Sequence, residues 1–339
     1  MSLLKRVCKI LLPAIILAGI LASCKYEPDS LGDFEKIYVF ADSVLYGQVR
    51  TDLEQVFDNY VYTPHAERSF YLEYHPIDDL AAYERRRNLL FLTILGKEDP
   101  VSAYIENALS ADVEEAIRSG RIFEIFQEDF YARDQMVIIL PGVNVESLRK
   151  NIQNQKDRIY KKLEDYYFAR LEKIMFLKGE QKAIEEYLAD NLGWYIRLQH
   201  DYSIVKESKE SDFIWFRRFK PDRNLFVYRF KADSLPEGSD WLVQLRDSLS
   251  VVHFESDKIE REDTYMVKTT FRDLPAVNMI GVWQNHGLLI GGPFKTFAFF
   301  DPASGFIYIL DFMVTAPGER KKPFMDQLEV MARSFRFAS

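Results

Sequence analysis

The spacing of hydrophobic positions predicts a first stretch in which strands and helices alternate. Residues 36–41 (KIYVFA) form a short apolar run that reads as a strand. Asp42 or Ser43 then caps a helix that carries Leu45, Val49, Leu53 and Val56 on one face. A strand over 69–75 and a short helix over 78–87 follow. Residues 88–95 (NLLFLTIL) are apolar without interruption, the pattern of a buried central strand. Asp99-Pro100 is a helix start, with aspartate as cap and proline in the first turn. Val101, Tyr104, Ile105, Ala108 and Leu109 form its buried face, and strands fit 121–130 and 135–140.

At Pro141-Gly142 the period changes. Asn144 can cap a helix, with Val143 and Leu148 at the two positions of a hydrophobic staple. The pattern allows this helix to run to Lys178, where Gly179 interrupts it, and Leu148, Ile152, Ile159, Leu163 and Tyr166 give it one apolar stripe. A shorter helix over 180–189 follows. From Trp194 onwards strands dominate. Segments 213–219 and 225–230 flank a turn at 220–224, and 295–300 and 306–314 flank a turn at 301–305, each with Pro, Asp, Asn or Gly at the reversal. A helix over 240–250 interrupts the strands, and Phe324, Leu328, Met331 and Phe335 mark a final helix. The predicted class is α+β: two lobes of mainly antiparallel sheet with helices packed on them, joined by a long helix. The division expected is 1–23 signal peptide, 24–35 tether, 36–143 N-terminal α/β lobe, 144–190 long and short helices, and 191–339 a strand-rich C-terminal α+β lobe. Both lobes place a strand and Pro-Gly (Pro141-Gly142, Pro317-Gly318) before a helix, which hints at duplication.

The N-terminal residues carry an address. Lys5, Arg6 and Lys9 precede the uncharged run 10–21, and Leu21-Ala22-Ser23-Cys24 has the form of a bacterial lipobox: an apolar residue, two small ones, then cysteine. Twelve residues reach only about 18 Å as helix, short of the ~30 Å hydrocarbon core, so a cleaved signal fits better than a membrane span. Cleavage before Cys24 and acylation of its thiol with diacylglycerol, and commonly a further chain such as palmitate, would tether a soluble body to a bilayer. Two or more chains hold firmly where one is marginal. Lys25 follows the cysteine where aspartate would favour the inner membrane, so the outer membrane is expected.

Composition narrows the partners. Apolar residues make up 47%, with 26 Phe and 19 Tyr, enough for a substantial core. The formal charge of −8 becomes more negative once Lys5, Arg6 and Lys9 are lost, which argues against nucleic acid. The two cysteines are Cys8, in the signal, and Cys24. A mature chain with its one thiol acylated has no disulfide, no cysteine nucleophile and no thiolate metal site.

The lipobox start, the length, and the stretch from Gly281-Val282-Trp283-Gln284-Asn285 through Gly291-Gly292-Pro293-Phe294 to Ala316-Pro317-Gly318 resemble a group of uncharacterised Bacteroidetes-type lipoproteins classed as a domain of unknown function. The resemblance implies the same address and supplies no active-site residues.

Motif chemistry is sparse. His65, His75, His200, His253 and His286 are scattered, none with metal-ligand spacing, so no metal or cofactor is expected. Ser147–Lys150 and Ser203–Lys206 match S-x-x-K but lack companion motifs. Glu73 and His75 share one face of the strand at 69–75 and could act as an acid–base pair, against the plainer reading of a wetted strand face. The helix from 144 to 178 carries an excess of basic residues, which suits either anionic headgroups or a solvated mixed face. All four tryptophans (Trp194, Trp215, Trp241, Trp283) fall in the second lobe, the expected binding surface if they do not simply pack the core. The patch to test first is Trp283, Asn285 and His286 with Gly291 and Gly292, where glycines leave backbone accessible beside an aromatic, an amide and an imidazole. A tight turn accounts for the same glycines. The function expected is a non-enzymatic envelope lipoprotein that binds envelope proteins or glycans. The alternative is an envelope hydrolase using carboxylates assembled by the fold, which requires a cleft with two carboxyl groups and at least one raised pKa.

Overall fold

The computed structural model describes residues 27–61, 65–210, 212–238, 240–254 and 257–338. The signal run and the lipobox residues Leu21, Ala22, Ser23 and Cys24 lie outside the described residues. The fold is α+β, and the chain divides into two compact units: residues up to 56 with 71–159, and residues 57–70 with 160–339.

The first unit is built on β1 (Lys36–Phe40), α1 (Ser43–Val56) and, after the hairpin β2 (Tyr60–Val61) and β3 (Glu67–Arg68) that is assigned to the second unit, β4 (Tyr71–His75). It continues with α2 (Leu80–Tyr83), β5 (Asn88–Ile94), α3 (Pro100–Glu106), α4 (Ala111–Arg118), β6 (Ile125–Glu128), β7 (Met136–Gly142) and α5 (Val145–Asn154). Its sheet has the order β4-β1-β5-β7-β6. β4, β1, β5 and β7 are parallel, and β6 alone runs antiparallel, against β7. This corrects the expectation of a mainly antiparallel sheet in this lobe. The reason lies in the connections: helices between successive strands carry the chain back across the sheet, and only crossovers of that kind permit parallel pairing. Every residue of β5 is buried, the polar Asn88 and Thr93 included. Asp99 caps α3 by accepting from the Val101 and Ser102 amides at 3.1 and 2.9 Å. Leu45, Val49, Leu53 and Val56 form the buried stripe of α1, and buried Asp52 accepts from Arg149 of α5 at 2.7 Å.

Asn144 caps α5 in a reciprocal box with Ser147. The long helix expected from 144 onwards is two helices, because α5 ends at Asn154 and α6 (Lys156–Met175) begins after Gln155. Leu148, Ile152, Ile159 and Leu163 are buried as expected, but Tyr167 is buried at the next turn while Tyr166 is only half-buried. The boundary between the units falls inside α6, between Ile159 and Tyr160.

The second unit continues with α7 (Lys182–Leu192), β8 (Trp194–Tyr195), β9 (Ser203–Ser208), β10 (Phe213–Arg218), β11 (Asp222–Lys231), α8 (Asp240–His253), β12 (Lys258–Ile259), β13 (Tyr265–Phe271), β14 (Leu274–Asn285), β15 (Ile290–Asp301), β16 (Phe306–Thr315), α9 (Lys322–Arg333) and β17 (Arg336–Phe337). Its large sheet is ordered β12-β14-β15-β16-β11-β10-β9, with β13 also on β14, and every pairing is antiparallel. The two units thus differ in sheet topology, so the Pro-Gly hint of duplication finds no counterpart in the strand order.

Side chains alternate across this sheet. Phe294, Ala298, Ile307, Ile309 and Met313 join Leu242, Val243 and Leu249 of α8 in one core. From the other face Lys295 reaches Glu329 of α9, and Phe297 lies under Arg333 of the same helix. Helices on both faces explain why β16 is buried along nearly its whole length. Among the described residues, no helix is long and apolar enough to cross a membrane.

Candidate functional site: two cavities on opposite faces of one sheet

The residues singled out from sequence divide. Trp283 is 2% exposed and lies on β14 directly opposite Gly292 of β15. Asn285 is buried: its Nδ2 donates to Asp257 at 2.9 Å, and its Oδ1 accepts from the Gly287 and Leu288 amides at 3.0 and 2.9 Å, shaping the turn between β14 and β15. His286 is exposed, and its ring sits 3.3 Å from the Gln284 side-chain amide, which also bonds Glu260.

The glycines do not open the backbone. A Cβ on Gly291 would meet the Trp283 carbonyl at 2.6 Å, and one on Gly292 the Val314 carbonyl at 1.9 Å. They permit close strand approach, which corrects the reading of an accessible backbone. Of the five residues, Trp283 alone lines a cavity described here.

That cavity, about 300 Å³, lies on the α8 face of the sheet, where Trp283 meets Trp215, His253, Phe254, Leu288 and Ile290. Trp215 packs edge-on to Phe254 at 4.7 Å and donates its indole N–H to Asn224 Oδ1 at 2.9 Å. Arg217 is clamped by Asp222 through two bonds of 2.7 and 2.8 Å and lies over the Trp215 ring. Two nitrogens are left over. Trp283 Nε1 and His253 Nδ1 are buried with no hydrogen-bond partner among the described residues. Burial pushes the His253 pKa down, with Lys206 adding to the effect, so the ring is neutral near pH 7. An orphaned buried donor costs about 1–3 kcal/mol, so any ligand bringing an acceptor here recovers part of that.

A second cavity, about 450 Å³, lies on the α9 face. Its wall carries an unusual density of buried charge. Lys322 and Asp326, each 4% exposed, pair at 2.5 Å, and Tyr167 donates to the same Asp326 oxygen at 2.5 Å. Glu329 accepts from Lys295 at 2.6 Å and from Arg333 at 2.8 and 2.6 Å. Burial opposes ionisation of Glu329, yet the adjacent Lys295 and Arg333 outweigh it and hold its carboxyl at about 2. Glu164 on α6 behaves oppositely. Burial pushes its carboxyl up, Tyr160 offsets this by donating at 3.0 Å, and the nearby Glu329 raises it further. Two carboxyl groups of one cavity are therefore driven apart in proton affinity. Asn278 Oδ1 is buried in the same wall without a partner among the described residues.

Sequence reasoning missed this charged wall. Lys322/Asp326 and Glu329/Arg333 stand at i,i+4 on the final helix, a spacing that ordinarily marks a solvated face. The usable signal was Lys295, a lone charge within an apolar strand.

Elsewhere, Glu73 and His75 do meet: Glu73 Oε1 lies 3.1 Å from His75 Nε2, and Asp79 Oδ2 lies 3.4 Å from Nδ1. Tyr83 lies tilted against the imidazole with ring centroids 3.9 Å apart, and Lys36 holds the other Glu73 oxygen at 2.9 Å. The pair is tied to its own partners in the first unit, with Glu73 half-exposed. Ser147 is used in the α5 cap, and Lys206 donates to the Val252 carbonyl, so neither S-x-x-K match assembles a nucleophile. No group of three or more His, Cys, Asp or Glu able to hold a metal occurs among the described residues.

Residues 180–334 match a family model described as Domain of unknown function (DUF4837), and residues 30–176 match another, Domain of unknown function (DUF8532). No curated protein matches the chain. Similar solved structures include a mutant of the protein Mog1, 7% identical, with 43% of this chain and 92% of that chain covered and a TM-score of 0.30. The Saccharomyces cerevisiae Ran-binding protein Mog1p is 8% identical, with 43% and 91% covered and a TM-score of 0.30. LpqN of Mycobacterium tuberculosis, described as involved in cell envelope biogenesis, is 13% identical, with 43% and 83% covered and a TM-score of 0.28. Scores this low support no inference about the present chain.

Proposed function

We propose that this chain, which carries two domains of unknown function, is an outer-membrane lipoprotein held by acylated Cys24. Its second unit acts as a binding module for envelope glycans or proteins. The observation that carries the binding reading is the indole N–H of Trp283: 2% exposed, without an acceptor among the described residues, and in the wall of a cavity with Trp215 and Phe254. Aromatic rings offer stacking faces, and the waiting donor adds direction. The anchor reading rests on the zone order of residues 1–24.

Two experiments test the two halves. Cells expressing the native chain should incorporate labelled palmitate into it and retain it in the outer-membrane fraction, whereas Cys24→Ser should do neither. Label or membrane retention in Cys24→Ser defeats the anchor. For the module, a muropeptide digest or solubilised envelope proteins should shift tryptophan emission of the native chain, and Trp283→Phe should raise the concentration at half-response roughly tenfold, as loss of one hydrogen bond to a buried group implies. An equal response in Trp283→Phe, or none in the native chain, defeats the binding reading.

A second reading, an envelope hydrolase, is favoured by one specific observation. Glu164, raised by burial, and Glu329, held at about 2, line the same cavity, and such a split is what separates a proton donor from an ionised partner. Turnover of a glycan that vanishes in Glu164→Gln would support it.

A further inference from the structure

The α9-face cavity differs in kind from its aromatic counterpart, because the charges in its wall already have one another. Lys322 is joined to Asp326, and both Lys295 and Arg333 to Glu329. A charged ligand would have to draw one member away and leave the other buried without its counter-ion, which is strongly unfavourable. A neutral ligand avoids that. It can accept from Lys295 and Arg333 and donate to carboxylate lone pairs while leaving each ion pair intact.

Two further groups ask for the same chemistry. Asn278 Oδ1, buried in the wall with no partner among the described residues, requires a donor. Glu164, whose carboxyl burial pushes up, lines the same wall and accepts from Tyr160 at 3.0 Å. Rings complete the lining: Tyr60 and Tyr265 are 45% and 46% exposed, and Phe70 and Phe168 also face the cavity. Many hydroxyl groups of both senses, apolar C–H faces to lie on rings, no net charge and a size within about 450 Å³ describe a small sugar.

We propose that this cavity is a binding site for a neutral mono- or disaccharide, held by the Lys322–Asp326 and Lys295–Glu329–Arg333 groups together with Asn278 and Glu164. The site is separate from the Trp283 cavity on the opposite face of the sheet, so either can fail without the other.

The full chain in lauryldimethylamine oxide micelles, a detergent without sugar, is titrated with cellobiose, N,N′-diacetylchitobiose, glucose 6-phosphate and glucosamine. Binding is read by saturation-transfer NMR and calorimetry. At least one neutral disaccharide should bind saturably. Affinity should fall roughly tenfold or more in Asn278→Ala and in the rim variant Tyr265→Ala, and should fall in Glu164→Ala. Circular dichroism confirms that each variant is folded, and Tyr265→Ala, at an exposed position, keeps the test valid should Asn278→Ala unfold. Binding of the charged sugars alone, neutral binding indifferent to Asn278→Ala or Tyr265→Ala, or no saccharide binding overturns the proposal.

Discussion

The two units solve the problem of a buried interior differently. In the first, the sheet is filled mainly with aliphatic and aromatic side chains: the five Leu, Phe and Ile residues of β5 are buried, and Tyr38, Phe40, Leu89, Phe91 and Val137 pack in one cluster. In the second, charges penetrate the sheet. Asp311, 0% exposed on β16, is held by Arg246 of α8 at 2.8 Å and by the Thr296 hydroxyl at 2.5 Å, with the guanidinium over Phe294. Lys322–Asp326 and Lys295–Glu329 repeat the device on the opposite face. Buried ion pairs are poor stabilisers compared with apolar residues of equal volume, since desolvation cancels much of the attraction. Their concentration in the unit that also carries the two cavities is what the proposed recognition role of that unit draws on.

The largest expected effect is from Asp311→Ala, which leaves Arg246 buried without its partner and should destabilise the second unit by about 3–5 kcal/mol. All four tryptophans lie in that unit, so urea unfolding followed by tryptophan emission reads it selectively. Replacing Arg246 and Asp311 together by Met and Leu should restore most of the loss; failure to do so would break the claim that these charges are dispensable for stability. Leu90→Ala, in the fully buried β5, should cost the first unit about 2–5 kcal/mol, visible by circular dichroism or hydrogen exchange with little movement of the tryptophan transition. An equal shift in both signals would mean that the units unfold as one. Asp99→Ala, which removes the α3 cap, should cost about 0.5–2 kcal/mol.

The pH response sharpens the contrast within the second unit. The Glu329 carboxyl is depressed to about 2 from an ordinary 4.5, so its contribution is fully present above about pH 4.5 and is lost as the pH falls towards 2. Glu164 is raised, so its contribution is complete below 4.5 and is lost as the pH rises through its folded value. Glu164→Gln should therefore raise stability at neutral pH, and Glu329→Gln should flatten the acid limb. Unfolding curves of the two variants between pH 2 and 8 that coincide with the native curve would contradict both assignments.

Much of the fold was legible where one local signal stood alone. The unbroken run at β5, the Asp99-Pro100 start, the Asn144 cap and the two hairpins of the second unit all appear where the pattern placed them. What was hidden depends on distant partners. Apolar runs do not state whether they pair parallel or antiparallel, so the first sheet was misjudged. Helix periodicity continues through Gln155, so the break there was invisible. The hairpin of β2 and β3 is only two residues on each side, too short for any period to register. For the sites, Trp283 was visible as a rare aromatic, while Asn285, Gly291 and Gly292 proved to be architecture. The charged cavity escaped because i,i+4 ion pairs look alike whether solvated or buried, and only the fold decides which.

The central claim, that the second unit keeps buried charge for recognition rather than for stability, is met most directly by one triple variant. Tyr167→Phe, Lys322→Met and Asp326→Leu together remove three mutually bonded groups from the charged cavity. Unfolding free energy and disaccharide binding are then measured on the same preparation. The account predicts unchanged or increased stability with binding lost; a variant that is markedly destabilised, or that binds as the native chain does, would contradict it.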